Sequence, residues 1–135
     1  MSSAAPTVLA EVSALPENVA PLRRAARSLA ERCGASERTL QDVTLAVSEA
    51  CTNVVIHAYS DEDPGTIALV GEQMDGEVLF RVIDDGAGLT PRPDSPGMGL
   101  GLPLIARLTE RFEVRPGRDG RGTELCMAFR LDAAA

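Results

Sequence analysis

The stretch TIALVGEQMDGEVLFRVIDDGAG, residues 66–88, decides the fold class of this chain. It contains two runs rich in apolar and β-branched residues, 66–73 and 77–83, on either side of the short link Met74-Asp75-Gly76. Asp and Gly tolerate the backbone angles of tight turns, so an Asp-Gly link between two such runs is typical of an antiparallel β-hairpin. We therefore predict two paired strands here.

Helices are expected mainly before this hairpin and strands mainly after it. Gly34 ends the first helix, and Ser36 is a good N-cap for the second. Pro103 suits the first turn of the third helix, where its missing N–H is not needed. The other predicted elements are a strand over 7–14, helices over 19–33, about 37–59 and 102–112, and strands over 112–115 and 123–131. This order favours an α+β fold, a two-layer α/β sandwich with helices on one face of a mixed, mostly antiparallel sheet.

Length and composition indicate one domain. The 135 residues, 44% hydrophobic and 24% charged, suit a single globular domain over residues 1–135 with its core at about 7–131. No apolar run approaches the roughly eighteen residues of a membrane span, and the N-terminus lacks the pattern of a signal peptide, so we expect a cytoplasmic protein. The net charge of −7 argues against nucleic acid as a partner.

The second predicted helix carries two polar residues, Glu49 and Asn53, four apart and therefore neighbours on one face. Because Leu45 and Ile56 flank them, we expect a helix buried on nearly all sides, in which both polar groups need partners. The alternative is a solvated glutamate and asparagine on the helix surface. A separate apolar stripe is predicted to pack on the sheet: Leu40, Val43, Val47, Cys51, Val54 and Ala58.

Two glycine motifs follow the hairpin. The first, Asp84-Asp85-Gly86-Ala87-Gly88, leaves a strand and could point a carboxylate into a pocket. The second, Gly97-Met98-Gly99-Leu100-Gly101, opens the third predicted helix, where free N–H groups and the helix dipole suit phosphate. Each motif is weak evidence alone, because ordinary turns use the same residues.

Taken in order, these motifs resemble a known ATP-binding domain. Their order resembles that of the Bergerat fold of gyrase, Hsp90, histidine kinases and MutL proteins. It is Glu-x-x-x-Asn on a helix, Asp-x-Gly-x-Gly after a strand, Gly-x-Gly-x-Gly before a helix and Gly122-Thr123 at the last strand. The segment SEACTNVVIHAY, residues 48–59, is most similar to the anti-sigma-factor serine kinases. The resemblance covers residues 12–129.

The resemblance implies a role for each matching residue. Asn53 would coordinate Mg²⁺, and Glu49 would be the general base for an attacking hydroxyl. Asp84 would accept a hydrogen bond from the adenine amino group of ATP or ADP, with Thr123 supporting the same base edge. His57 would approach the phosphates or serve as a structural imidazole, and Arg23 would contact a protein partner. Glycines and their neighbours would line the adenine pocket or hold the phosphates: Gly86, Gly88, Gly97, Met98, Gly99, Leu100 and Gly101.

The implied function is that of an anti-sigma factor that also acts as a serine/threonine protein kinase. Its partners would be a sigma factor and an anti-anti-sigma protein of the STAS type, with a homodimer carried over from relatives. The stretch between the glycine motifs, residues 89–96, is short for a lid and contains Pro91, Pro93 and Pro96. A short, stiff lid favours the alternative, a nucleotide-binding module that switches partners without phosphotransfer, whereas Glu49 favours the kinase. A sensor histidine kinase is disfavoured, since no phosphoacceptor segment is expected before the domain.

Overall fold

The computed structural model describes residues 4–57, 65–86, 98–117 and 120–131. A 3₁₀ turn, Pro16–Asn18, leads into the first helix. Within these ranges the chain forms strands β1 (Ala4–Ser13), β2 (Thr66–Met74), β3 (Glu77–Asp84), β4 (Arg111–Pro116) and β5 (Thr123–Arg130), and helices α1 (Val19–Arg32), α2 (Glu37–His57) and α3 (Met98–Leu108). No helix in this part of the chain is long and apolar enough to cross a bilayer.

The strands form one sheet in the order β1-β2-β3-β5-β4. The predicted hairpin is confirmed: Met74 pairs with Glu77 across Asp75-Gly76, and Gly76 takes a φ of +75° that suits glycine. Every pairing between these described strands is antiparallel. The α+β fold is therefore confirmed, while the parallel pairing that a mixed sheet would include is not found among them.

The hydrophobic core lies between one face of the sheet and the helices. Alternate residues of β3 (Val78, Phe80 and Val82) are buried, as the period of two in a half-covered strand requires. On the facing side, the predicted α2 stripe is buried from Leu40 to Val54, while Ala58 lies outside the described residues. The Ser36 cap is also confirmed, since its Oγ accepts a hydrogen bond from the Thr39 N–H at 3.2 Å.

The prediction that α2 is buried on nearly all sides is wrong. Leu45 is 43% exposed and Ile56 is 60% exposed. The sheet covers only one side of α2, and α1 and α3 pack along it. One strip of the helix therefore remains open to solvent although it carries large apolar side chains.

The predicted bounds of α3 are also wrong. The helix covers Met98–Leu108 instead of 102–112, so Pro103 lies inside it and not in its first turn. The chain leaves the helix early because the Glu110 N–H donates to the Ala128 carbonyl and Arg111 pairs with Ala128 in the sheet. Sheet pairing here overrides a helical pattern that continues to Phe112, a residue that instead packs on the core from β4.

Candidate functional site

Asp84 ends β3 in the row of residues that faces the helices. Its alternation with Val82 gives it the core-facing register, and the residue is only 2% exposed. One carboxylate oxygen, Oδ1, accepts a hydrogen bond from the Gly86 N–H at 3.0 Å. The other oxygen, Oδ2, is buried with no hydrogen-bond partner among the described residues. A buried acceptor without a hydrogen bond costs folding free energy, so this oxygen is available to accept a hydrogen bond from a ligand.

The electrostatic surroundings of Asp84 agree with this. Burial raises the pKa of the Asp84 carboxyl above its ordinary value, and the charge of Asp85 adds to the rise. Hydrogen bonds from the backbone N–H groups of Gly86 and Thr123 act in the opposite direction. Loss of water is the larger effect, and a bound donor group would offset part of its cost.

The structure brings Thr123 and Gly86 to Asp84. Thr123 is the first residue of β5, is 4% exposed, and pairs directly with Asp84 across the β3–β5 ladder. This cluster joins three residues that the sequence had assigned to one adenine pocket. Gly88, assigned to the same pocket, lies outside the described residues.

A feature of this cluster that the sequence reasoning missed is the turn between β4 and β5. Gly117 and Gly122 both lie against the Asp84 carbonyl. They are joined by a hydrogen bond from the Gly117 N–H to the Gly122 carbonyl at 3.1 Å. The spacing Gly117, Gly120, Gly122 directly before Thr123 was a visible signal. Only the folded arrangement shows which backbone these glycines touch.

Asn53 and Gly101 form a second cluster where α2 meets α3. Asn53 is 5% exposed, and its Nδ2 has no hydrogen-bond partner among the described residues. A Cβ placed on Gly101 would lie 2.7 Å from that Nδ2 and 3.1 Å from Oδ1. Rotation of the amide exchanges its two ends, so the same position can present an oxygen to a cation.

The first turn of α3 supplies backbone donors beside this amide. Because α3 begins at Met98, residues 98–101 carry the four N–H groups that have no partner within the helix. This corrects the expectation that Gly99 and Gly101 precede the helix, since both lie inside its first turn. The correction improves the fit to phosphate, because these N–H groups point out of the helix end with its positive dipole.

Glu49 stands one helical turn before Asn53. It is half-buried, and none of the described residues bonds to its carboxylate. By helical geometry it lies between the buried Asn53 and the exposed Leu45 and Ile56. The carboxylate is thus at the border between the interior cluster and the surface from which a macromolecule could approach.

Arg23 lies away from both clusters, on α1. It lines a groove of about 270 Å³ with Arg27, Gln41, Thr44, Leu45 and Ser48. The groove reaches Leu45, one turn before Glu49. This position suits contact with a protein better than contact with a nucleotide.

Several predicted positions cannot be placed. Gly97 and the lid, residues 89–96, lie outside the described residues. For His57, Met98 and Leu100 the structure describes the helical backbone and not the side chain. Their assigned roles remain predictions.

The described residues fit a nucleotide with a divalent cation. Asp84 Oδ2 offers an unmatched acceptor to an amino group, and Asn53 offers a carboxamide to a hard cation. The α3 N-terminus offers amides to phosphate, and the bare Cα of Gly101 leaves room beside Asn53.

Comparison with known proteins agrees with this chemistry. A family model described as "Histidine kinase-like ATPase domain" matches residues 12–129. An anti-sigma F factor of Clostridium botulinum is 32% identical over 99 residues, 65% of this chain and 68% of the relative. A serine-protein kinase RsbW of Bacillus thuringiensis is 32% identical over 119 residues, 77% of this chain and 74% of the relative.

A solved structure shares the fold. Part of a crystal structure of the RsbU and RsbW domains of a Mycobacterium tuberculosis protein superposes on this chain with a TM-score of 0.71 at 23% identity. The match covers 100% of this chain and 34% of that longer one. With the fold, the motif order and the family match in agreement, this chain belongs to the histidine kinase-like ATPase domain family.

Proposed function

We propose that this protein is an anti-sigma factor with ATP-dependent serine/threonine protein kinase activity toward an anti-anti-sigma protein. The observation that carries the proposal is a pair of buried polar atoms, Asp84 Oδ2 and Asn53 Nδ2, that find no hydrogen-bond partner among the described residues of a histidine kinase-like ATPase domain. The names of the relatives, anti-sigma F factor and serine-protein kinase, support the pathway. The protein would act in the cytoplasm, where its partners in transcription work.

In the proposed complex, Asp84 accepts a hydrogen bond from the adenine amino group and Thr123 supports the same edge. The first turn of α3 holds the phosphates of ATP through its free N–H groups. Asn53 is the protein ligand of Mg²⁺, which when bound neutralises phosphate charge and orients the transferred group. Gly86 lines the base pocket, and the roles that the resemblance gives to Gly88 in that pocket and to Gly97 at the phosphates concern residues outside the described ranges.

The reaction needs little covalent chemistry from the protein. A serine or threonine hydroxyl oxygen of the acceptor protein bonds to the γ-phosphorus of ATP, and the bond from that phosphorus to the bridging oxygen breaks. ADP leaves with that oxygen, and the hydroxyl proton passes to the Glu49 carboxylate. Glu49 suits this role because it is partly open to solvent beside Asn53, where a protein hydroxyl can reach it.

The proposed docking surface is the groove at Arg23 with the exposed part of α2. Leu45 and Ile56 give it apolar area next to Glu49, and none of the described carboxylates pairs with Arg23. A partner would therefore place an apolar side chain on Leu45 and an acidic group near Arg23. A sigma factor and a STAS-type protein would compete for this surface, and a homodimer would present it twice.

The decisive experiment follows phosphate transfer from labelled ATP to candidate STAS proteins. Glu49→Gln keeps the shape of the side chain but cannot take the proton. We expect phosphorylation to fall roughly 10²- to 10⁴-fold, while ADP affinity and partner binding change little. The matched control is Glu17→Gln, which removes an exposed carboxylate in the 3₁₀ turn before α1.

Two results would contradict the kinase assignment. Equal transfer by wild type and Glu49→Gln would deny Glu49 its role as base. Binding of ATP and partners without transfer by the wild type would identify the protein as a nucleotide-dependent binding module.

A further inference from the structure

The turn between β4 and β5 lies directly on the backbone of the adenine-site aspartate. A Cβ added at Gly122 would fall on the carbonyl oxygen of Asp84 and lie 2.6 Å from its carbonyl carbon and 2.7 Å from the Asp85 Cα. At Gly117 an added Cβ would clash with the Arg121 carbonyl oxygen and would lie 3.1 Å from the Asp84 carbonyl oxygen. Real Cβ atoms are essentially never closer than about 3.0 Å to such neighbours, so a side chain at Gly122 requires the Asp84 peptide to move.

Movement of that peptide would reach the Asp84 carboxylate. The carbonyl of Asp84 and the N–H of Asp85 belong to one rigid peptide plane. The next N–H, that of Gly86, is the donor that fixes Oδ1 at 3.0 Å. A shift of the plane therefore moves the group that orients the carboxylate and redirects Oδ2.

The described residues of the turn are held by backbone hydrogen bonds and by the sheet. The Gly117 N–H donates to the Gly122 carbonyl, and the Gly120 N–H donates to the Gly117 carbonyl, each at 3.1 Å. Thr123 is held on both sides, by Asp84 in β3 and by Pro116 in β4. Strain introduced at Gly122 is consequently passed to Asp84.

We infer that Gly122, supported by Gly117, is a positioning residue for adenine recognition: its bare Cα lets the β4–β5 turn lie on the Asp84 carbonyl and fixes the direction of the Asp84 carboxylate. The inference rests on the proposed nucleotide site. It assigns part of the purine selectivity of that site to a glycine, which offers the ligand no side chain of its own.

The chain contains a matched control for this contact. Gly120 has a φ of +75° and Gly122 a φ of +73°, so alanine suffers the same backbone strain at either position. A Cβ at Gly120 meets nothing within 4 Å. Gly120→Ala therefore reports the conformational cost alone, and Gly122→Ala reports that cost together with the displacement of Asp84.

The test measures the affinities for ADP and IDP by calorimetry, with folding checked by circular dichroism. IDP carries a carbonyl where ADP carries the amino group that Asp84 would accept. We expect Gly122→Ala to lower ADP affinity at least 10-fold relative to Gly120→Ala and to reduce the preference for ADP over IDP. Combined with Asp84→Asn, Gly122→Ala should add little further loss, because both changes act on one interaction.

Each outcome supports or overturns the inference. Equal ADP affinity in Gly122→Ala and Gly120→Ala, or equal losses for ADP and IDP, would overturn it. If Gly122→Ala does not fold, Gly117→Ala is the second variant: it has no positive φ, and its Cβ would press on the Arg121 carbonyl inside the turn and on the Asp84 carbonyl. It should still reduce the preference for ADP over IDP, and an unchanged preference there would overturn the inference. If the wild type binds no ADP, or Asp84→Asn binds it normally, the proposed nucleotide site fails first.

Discussion

Asp84→Asn replaces one carboxylate oxygen at the proposed adenine contact by an NH₂ group. The hydrogen bond to Gly86 determines which of the two carboxylate oxygens the NH₂ group replaces. The Gly86 N–H, 3.0 Å from Oδ1, needs an acceptor, so the asparagine oxygen will take that position. The NH₂ group then occupies the place of Oδ2 and meets the adenine amino group donor to donor.

The loss follows from the burial of this atom. Asp84 is 2% exposed, so water cannot replace the missing acceptor. A hydrogen bond to a charged group contributes about 1.5–3 kcal/mol, and about 1.4 kcal/mol corresponds to a tenfold change in affinity. We therefore expect ADP to bind roughly 10- to 150-fold more weakly.

Isothermal calorimetry with ADP measures this directly. Asp75→Asn is the matched control, because it makes the same change at an exposed residue of the β2–β3 turn, at the opposite end of β3 from Asp84. It should leave the affinity within about twofold, since a screened surface charge contributes little. If Asp84→Asn bound ADP as tightly as the wild type, Asp84 would not contact the base and the proposed orientation of the nucleotide would be refuted.

Three further predictions concern pH and the Asn53 cluster. In the folded protein, burial raises the pKa of the Asp84 carboxyl above 3.8, the value of an ordinary aspartate. The contribution of this carboxyl to the free energy of unfolding is therefore fully present below pH 3.8 and is lost as the pH rises through the folded-state pKa. Denaturant unfolding of the nucleotide-free wild type should show this loss, and Asp84→Asn should not. The affinity of the wild type for ADP should increase over the same pH interval, because the ionised carboxylate is the hydrogen-bond acceptor. Asn53→Ala should weaken Mg-ATP more than metal-free ADP in calorimetry, and equal losses would make Asn53 purely structural. Gly101→Ala should retain the fold by circular dichroism yet lower the affinity for Mg-ATP about tenfold or more. The reason is that the added Cβ, 2.7 Å from Nδ2, displaces the Asn53 amide. An unchanged affinity would show that the amide can move without consequence.

The sequence was sufficient wherever a structural feature depends on neighbouring residues. The hairpin followed from Asp75-Gly76 between two alternating runs, and the start of α2 followed from the hydroxyl of Ser36. The order of the motifs also predicted the family, because each motif places a particular chemical group at a particular element end. Asp84 could be assigned to a pocket on this basis before its burial was known.

The sequence was insufficient wherever two distant segments compete for the same residues. The helical pattern around 102–112 continued to Phe112, yet the hydrogen bond from Glu110 to Ala128 ends α3 earlier and moves Gly101 into its first turn. Leu45 and Ile56 are residue types typical of a core, but none of the described helices and strands covers that side of α2. Periodicity shows which residues share a face and cannot show what covers it.

The sequence by itself therefore determined the kinds of groups in the site and the elements that carry them. Only the tertiary structure decided that Asp84 Oδ2 and Asn53 Nδ2 are buried with no partner in the described part of the chain, and that Gly117 and Gly122 lie on the Asp84 carbonyl. These features arise from the packing of β5 beside β3 and of α3 against α2, between segments far apart in the chain. A local pattern of residues records the preferences of one segment, whereas desolvation and close contact depend on the segment packed against it.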